Sequence, residues 1–529
     1  MSGPDTRANG RPWLWALLVV LCVLYGLLLC RPIILSLSDL GRHLTNGRLF
    51  LQTFSVPTTN FYSYTYPDFP FINHHWGTGV VFYIIYQAVD FIGLSLASIF
   101  LNILTFLLFF SVARKESSLA WATGTAVLFL PIMAARSEIR PEIFSAFFAG
   151  IFFWTLWEHR QRRIGGDMLI WLPFLQVLWC NMHIYFFFGP LLVLVFFLDA
   201  VVEYARGRTP ALRRSIRDLL FLGLATGVAL LAQPSGIRGA VYPLLIFGNY
   251  GYAVAENQSV SFMLQLVKDP TLYLYLLALA AFIGSWLYAG WRHWRNRTVP
   301  PVAFVLLSIL IVYLSWSALR NLALFGFFAL PIMAYNLRTL RLPAWWDRRP
   351  LLSAWTLLII VVAGLGAWQW RHWNALARTM LLGVPPSMMD SIDFFKENNL
   401  KGPIFNNYDI GGYLTYGLYP RERVFVDNRP EAYPKEFFTQ VLVPMQANEV
   451  TWDVEDPRHQ FNVIYFSRLD RTTWGQNFLV RRVFDPDWAA VHVDPWTIIL
   501  VRRTPENAEV IEKYELPQSI FRAAERTEF

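Results

Sequence analysis

Apolar runs of membrane-spanning length recur along this chain, and no other feature limits its fold as much. A bilayer core takes roughly 20 apolar residues per helix. Runs of about that length fall near 13–30, 77–112, 119–135, 142–157, 168–181, 184–204, 218–233, 271–289, 301–317, 321–337 and 353–371. Composition agrees: 55% of residues are hydrophobic and 16% charged, with mean hydropathy +0.37, where soluble domains carry about 25% charged residues. The net charge of +8 sits mostly in short connections between apolar runs, a membrane-protein distribution and not a nucleic-acid-binding face.

The first run, Pro12 to Cys30, has basic flanks (Arg7, Arg11) but no small-x-small cleavage site, so it reads as a retained helix. Cys22, Cys30 and Cys180 lie in or beside apolar runs and offer no pair for a thiolate metal site. The basic connections at 114–115, 160–163, 206–217, 292–297 and 338–349 belong on the cytoplasmic side by the positive-inside rule. With a cytoplasmic N-terminus, the stretch from Gly77 to Ala113 must cross an odd number of times, yet Asp90 and Gly93 divide it. The expectation is about 11 spans, with 13 the alternative, and residues 1–373 forming a polytopic helical bundle. From about 374 to 529 the composition becomes that of a water-soluble, extracytoplasmic α/β domain. There, 388–398 reads as a helix, 403–407, 423–427 and 461–466 as strands, and 488–501 as a hairpin turning at Asp494-Pro495. Gly411-Gly412 reads as a tight turn.

The first connection, about 31–76, is long, aromatic and ionisable. Asp39 and His43 stand at i and i+4, a spacing that fits a base with its orienting partner or two ligands of a metal. His74, His75 and Trp76 follow at the entrance of the next run. A set of Asp39, His43 and His75 would suit a divalent cation such as Mg²⁺ or Mn²⁺. Arginines on the side where the rule disfavours them are the second feature: Arg42, Arg48, Arg136, Arg140, Arg238 and Arg320. The guanidinium fork suits phosphate oxygens, so several around one cavity would clamp a lipid phosphate. The alternative is pairing with local carboxylates, Glu138, Glu142 and Glu256. His183, beside Asn181 between two runs, is a candidate substrate contact. No phosphate-cradling glycine loop, GxSxG elbow or HExxH helix is present.

Together the motifs Asp39-Leu-Gly-Arg-His43-Leu44-Thr-Asn-Gly47, Pro57-Thr-Thr-Asn60-Phe-Tyr62-Ser63-Tyr64-Thr65 and His74-His75-Trp76 resemble the first loop of the GT-C superfamily. The nearer resemblance is to its bacterial dolichyl-phosphate-mannose-transferase-like members. Downstream, Arg140-Pro141-Glu142, Leu178 to His183, Gln233 to Gly236, Arg320-Asn321, Asn407 to Leu414 and Val426-Asp427-Asn428-Arg429 match as well. The resemblance implies an integral membrane glycosyltransferase of the bacterial inner membrane. It would move a sugar from a polyprenyl-phosphate donor to a saccharide or protein acceptor on the extracytoplasmic face. It puts the catalytic base on Asp39 and donor-phosphate contacts on Arg320 and Arg140. Arg42, His74, His75, Trp76, His183 and Arg238 would complete the substrate site. His75 departs from the pattern, where an acid is expected. The rival readings are a flippase of lipid-linked saccharides and a catalytically inactive GT-C-like assembly partner.

Overall fold

The computed structural model describes residues 11–245, 250–252, 254–340, 355–356, 359 and 382–521. Most of the expected last span, 353–371, and the expected boundary near 373 lie outside them. Among the described residues up to 340, thirteen α-helices make the first part: α1 (Arg11–Leu29), α2 (Leu40–Thr53), α3 (Trp76–Glu116), α4 (Leu119–Met133), α5 (Glu142–Arg160), α6 (Trp171–Met182), α7 (Phe188–Gly207), α8 (Pro210–Ala229), α9 (Gly236–Val241), α10 (Val260–Leu266), α11 (Pro270–Arg295), α12 (Val302–Ser317) and α13 (Leu322–Leu337). Three described stretches, Trp76–Glu116, Ile184–Gly207 and Pro270–Arg295, are long and apolar enough to cross a membrane. Leu14–Leu29, Leu119–Met133 and Val302–Ser317 are shorter apolar helices.

Aromatic rings fill the bundle core. Trp157 stacks on Phe304 with ring centres 4.1 Å apart, and Phe109 meets Phe153 at 5.4 Å and Phe328 at 4.9 Å. The break expected in the second run is present. Val89 and Asp90 leave helical geometry inside α3, and Asp90 adopts φ +56° while its carboxylate accepts the Phe91 N–H at 2.7 Å. A side chain at Gly93 would stand 2.0 Å from Val89 Cγ2, so the bend requires glycine there. The halves of α3 serve different cores. Phe106, Phe109 and Phe110 pack in the bundle, whereas Phe82, Phe91 and Leu94 pack with α2 and the C-terminal part.

That C-terminal part carries a four-stranded mixed sheet in the order β1-β2-β4-β3: β1 (Ile404–Phe405), β2 (Val463–Ser467), β3 (Trp488–Val493) and β4 (Thr497–Arg502). β1 runs parallel to β2, and the other pairings are antiparallel. The hairpin turns where expected. Asp494 Oδ1 takes the N–H groups of Trp496 (2.7 Å) and Thr497 (2.6 Å), an Asx arrangement that fixes the turn.

Two expectations are corrected. Residues 423–427 do not join the sheet, because other groups take their backbone. Val424 bridges Ser63, Phe425 N–H donates to Asn406 Oδ1 (2.9 Å), and Phe425 C=O accepts Ser63 Oγ (3.0 Å) and Thr65 Oγ1 (2.9 Å). Gly411-Gly412 opens a helix, Gly411–Leu418, instead of a tight turn. These glycines serve close approach: a Cβ on Gly41 of α2 would lie 2.6 Å from Gly412 O, and one on Gly411 would lie 2.3 Å from Val426 O. The first loop and the C-terminal part therefore share one packed core, containing Leu35, Leu40 and Leu44 beside Ile410, Tyr413 and Leu414.

Candidate active site

Asp39 stands just ahead of α2. Its C=O accepts the His43 N–H at 3.1 Å, while its side chain makes no capping bond and remains available to other groups. The carboxylate accepts an N–H from Asn428 and lies 3.6 Å from Arg140 Nη1. Asn428 Oδ1 in turn accepts Arg42 Nε at 3.2 Å, so one amide couples the acid to a buried guanidinium. The residue beside Asn428 is tied down on several sides. Arg429 pairs with Asp427, reaches Asn60 Oδ1 at 2.6 Å and lies over Phe71 at 4.6 Å, an arrangement favoured by cation–π attraction.

Arg140 belongs to a charged cluster. Its Nη1 meets Glu256 at 2.6 Å and its Nε meets Glu138 at 2.7 Å. Arg136 binds Glu256 at 2.6 Å and Glu142 at 3.1 Å, and Arg320 binds Glu142 at 3.2 Å with Glu256 at 3.6 Å. Of the six misplaced arginines, Arg136, Arg140 and Arg320 gather here, paired with the local carboxylates Glu138, Glu142 and Glu256. Against the upward pull of burial, Arg140, Arg136 and Arg320 hold Glu256 well below the usual carboxylate range. Among the described residues the buried Arg320 Nε has no hydrogen-bond partner, and Arg42 makes no ion pair. From Arg136, Glu142 and Arg320 a narrow cavity of about 50 Å³ continues between α5 and α13 along Ala146, Ala149, Ala323, Leu324 and Phe327.

The imidazoles gather separately. His75 has ring centres at 5.4 Å from His43, 4.0 Å from His74 and 5.3 Å from His183. Burial lowers the pKa of all four, with Arg42 adding to the effect at His43, His74 and His75, and each ring is neutral. No hydrogen bond or ion pair joins the Asp39 and His43 side chains among the described residues. His43 instead packs beside His75 and Phe82. Asp39, His43 and His75, the set expected to suit a cation, do not form one ligand group among the described residues. The acid is engaged by an amide and a guanidinium, and among the described residues no three His, Cys, Asp or Glu side chains are placed to hold an ion.

Trp76 is a joint, donating its indole N–H to Asn181 Oδ1 at 2.8 Å. His183 Nδ1 lies 2.7 Å from Ser145 Oγ. Arg238 is exposed and joins no ion pair among the described residues. Arg48 ties α2 to Tyr419 O at 3.2 Å. Two site residues escaped selection from sequence, Asn428 and Asp409, although both lie in motifs that carried the resemblance. Burial, with Asp470 and Asp39 nearby and Arg140 opposing, pushes Asp409 up to about 7.

No family model matches the sequence, and no curated protein matches it. Solved structures do. The Archaeoglobus fulgidus oligosaccharyltransferase in complex with zinc and sulfate aligns with TM-score 0.55 at 12% identity, over 92% of this chain and 73% of that one. ArnT from Cupriavidus metallidurans bound to undecaprenyl phosphate aligns with TM-score 0.53 at 14% identity, over 94% of this chain and 99% of its own. The chain has the GT-C fold. The same archaeal enzyme tethered to an acceptor peptide aligns with TM-score 0.53 at 11% identity, covering 93% of this chain and 74% of that one. At 11–14% identity the architecture is what is shared. The helical first part and the small C-terminal sheet belong to it together.

Proposed function

We propose that this chain is an inverting membrane glycosyltransferase. It moves a sugar from a polyprenyl-phosphate donor to a hydroxyl of a saccharide or protein acceptor, with Asp39 as general base. The observation that carries this reading is the 3.6 Å pairing of Asp39 with Arg140, which sets a proton acceptor at the edge of a guanidinium cluster opening onto an apolar slot. Such a donor has a phosphate head and an apolar tail, and the cavity has the matching halves. ArnT was solved with undecaprenyl phosphate and the oligosaccharyltransferase with an acceptor peptide, which supports the class of donor and of reaction.

In the proposed step the acceptor oxygen attacks the anomeric carbon and its proton passes to Asp39. The bond from that carbon to the phosphate oxygen breaks with its electron pair, and polyprenyl phosphate leaves. The unpartnered Arg320 Nε is the donor best placed for the phosphate, because charge that develops at a leaving oxygen is stabilised by preorganised N–H groups. Arg42 and Arg140 assist. The described residues 382–521 cover the acceptor side and bring Asn428 to Asp39. The site faces the extracytoplasmic side of a bacterial inner membrane. Supporting this, the basic segments around Arg160, Arg214, Arg295 and Arg338 lie at the other end of the helices.

Full-length protein in proteoliposomes, given radiolabelled polyprenyl-phosphate sugars, tests the reading. Asp39→Asn should cut transfer at least ~10²-fold while its melting profile and donor binding stay near those of the parent. Normal turnover by that variant refutes the assignment. Donor binding without transfer by the parent chain would favour the inactive-partner reading, for which His75 in place of an acid is the motivating feature.

A further inference from the structure

At the opposite end of the bundle lies a larger cavity that the transferase reading leaves unused. It holds about 220 Å³ where the C-terminal ends of α5 and α7 meet the start of α8 and the turn Gly166–Ile170. The length of α5 puts it about 27 Å from the charged site. Arg160 in its wall is outweighed by two carboxylates, its Nε meeting Asp199 at 2.6 Å and its Nη2 binding Glu203. Asp218 is taken by Arg217 at 3.1 Å. That leaves Arg162 and Arg214, both lining the cavity and both without an ion pair among the described residues. His159, only 9% exposed, also lines it. Its Nε2 lies 3.1 Å from Ser215 Oγ. Two guanidiniums outside any ion pair among the described residues, a hydroxyl and an imidazole make a donor set for a phosphate.

We infer that this cavity binds the phosphate headgroup of an anionic phospholipid, held by Arg162, Arg214 and the His159–Ser215 pair. The surface beside it says why a lipid and not a soluble phosphate. Ile170 and Trp171 beyond the turn, and Leu220, Phe221 and Leu224 on α8, are large, apolar and exposed, so acyl chains would lie along α8 while the head enters the cavity. Basic pockets between membrane helices recognise anionic heads in this way. The inference does not depend on the transfer chemistry.

Full-length protein in detergent is titrated with phosphatidylglycerol, phosphatidylcholine, and glycerol phosphate or inorganic phosphate, read by melting temperature and by native mass spectrometry. Phosphatidylglycerol should raise the melting temperature and stay bound, with affinity at least tenfold weaker in an Arg162→Gln/Arg214→Gln double variant. Arg206→Gln, an exposed arginine outside the cavity, should leave it unchanged. Equal stabilisation by phosphatidylcholine overturns the proposal, as does a double variant that binds phosphatidylglycerol like the parent. Saturable binding of the soluble phosphates alone would also overturn the lipid assignment.

Discussion

Asp409 titrates near neutrality because burial raises it, Asp470 and Asp39 add repulsion, and Arg140 only partly offsets them. Below about 7 it is a neutral acid, and above it a second negative charge stands near Asp39. An anionic donor should therefore bind less well as pH rises through this value. We predict a donor KM that climbs between pH 6.5 and 8 in the parent chain and is nearly flat in Asp409→Asn, measured by sugar transfer at several donor concentrations. A KM with the same pH dependence in both would remove Asp409 from the site. Asp39 was legible from sequence, as the acid heading a long loop between apolar runs. Its partner was not. Asn428 lies 389 positions away, and no periodicity or composition connects the two. The charge balance was likewise hidden: opposite Arg136, Arg140 and Arg320 stand Asp39, Glu138, Glu142 and Glu256, and only the folded chain shows which acid meets which base.

α2 and the helix Gly411–Leu418 approach as closely as they do because Gly41 faces Gly412 without side chains between them. Gly41→Val should destabilise the protein by about 1–3 kcal/mol through overpacking, seen as a lower melting temperature. It should also cost activity, since Asn428 could no longer reach Asp39. A melting temperature equal to the parent's would show the contact to be unimportant. Elements with local signals were readable: the α3 break at Asp90 and Gly93, and the Asp494 hairpin. Residues 423–427 alternate like a strand, but strand pairing depends on which neighbour satisfies the backbone, here Asn406, Ser63 and Thr65. The two glycines at 411–412 signalled a turn when their use was close packing.

Four neutral imidazoles inside one fold give the whole molecule an acid limit. His43, His74, His75 and His183 are held below their ordinary value of 6.5, His74 and His183 to about 3. The unfolded chain takes up protons below about 6.5 that the folded chain refuses, so this stability is complete above that pH and falls as pH drops toward 3. Asp409 opposes the trend between 3.8 and about 7, and burial raises Glu422 and Glu431 in the same sense. Melting temperature should fall from pH 7 to pH 5, and less steeply when His74 and His183 are replaced by Gln. A rise over that interval would contradict the burial described. At this scale the apolar runs already gave a helical bundle, while the packing of the C-terminal part onto the first loop was out of reach, since it joins segments at opposite ends of the chain. The most direct measurement is a structure of the full chain with a polyprenyl phosphate bound. The account predicts a phosphate oxygen on the Arg320 guanidinium, the lipid chain along Ala146, Ala149 and Ala323, and the Asp39 carboxylate facing the phosphate across a gap of one sugar. A phosphate seated elsewhere, with Arg320 still held only by Glu142 and Glu256, would contradict it.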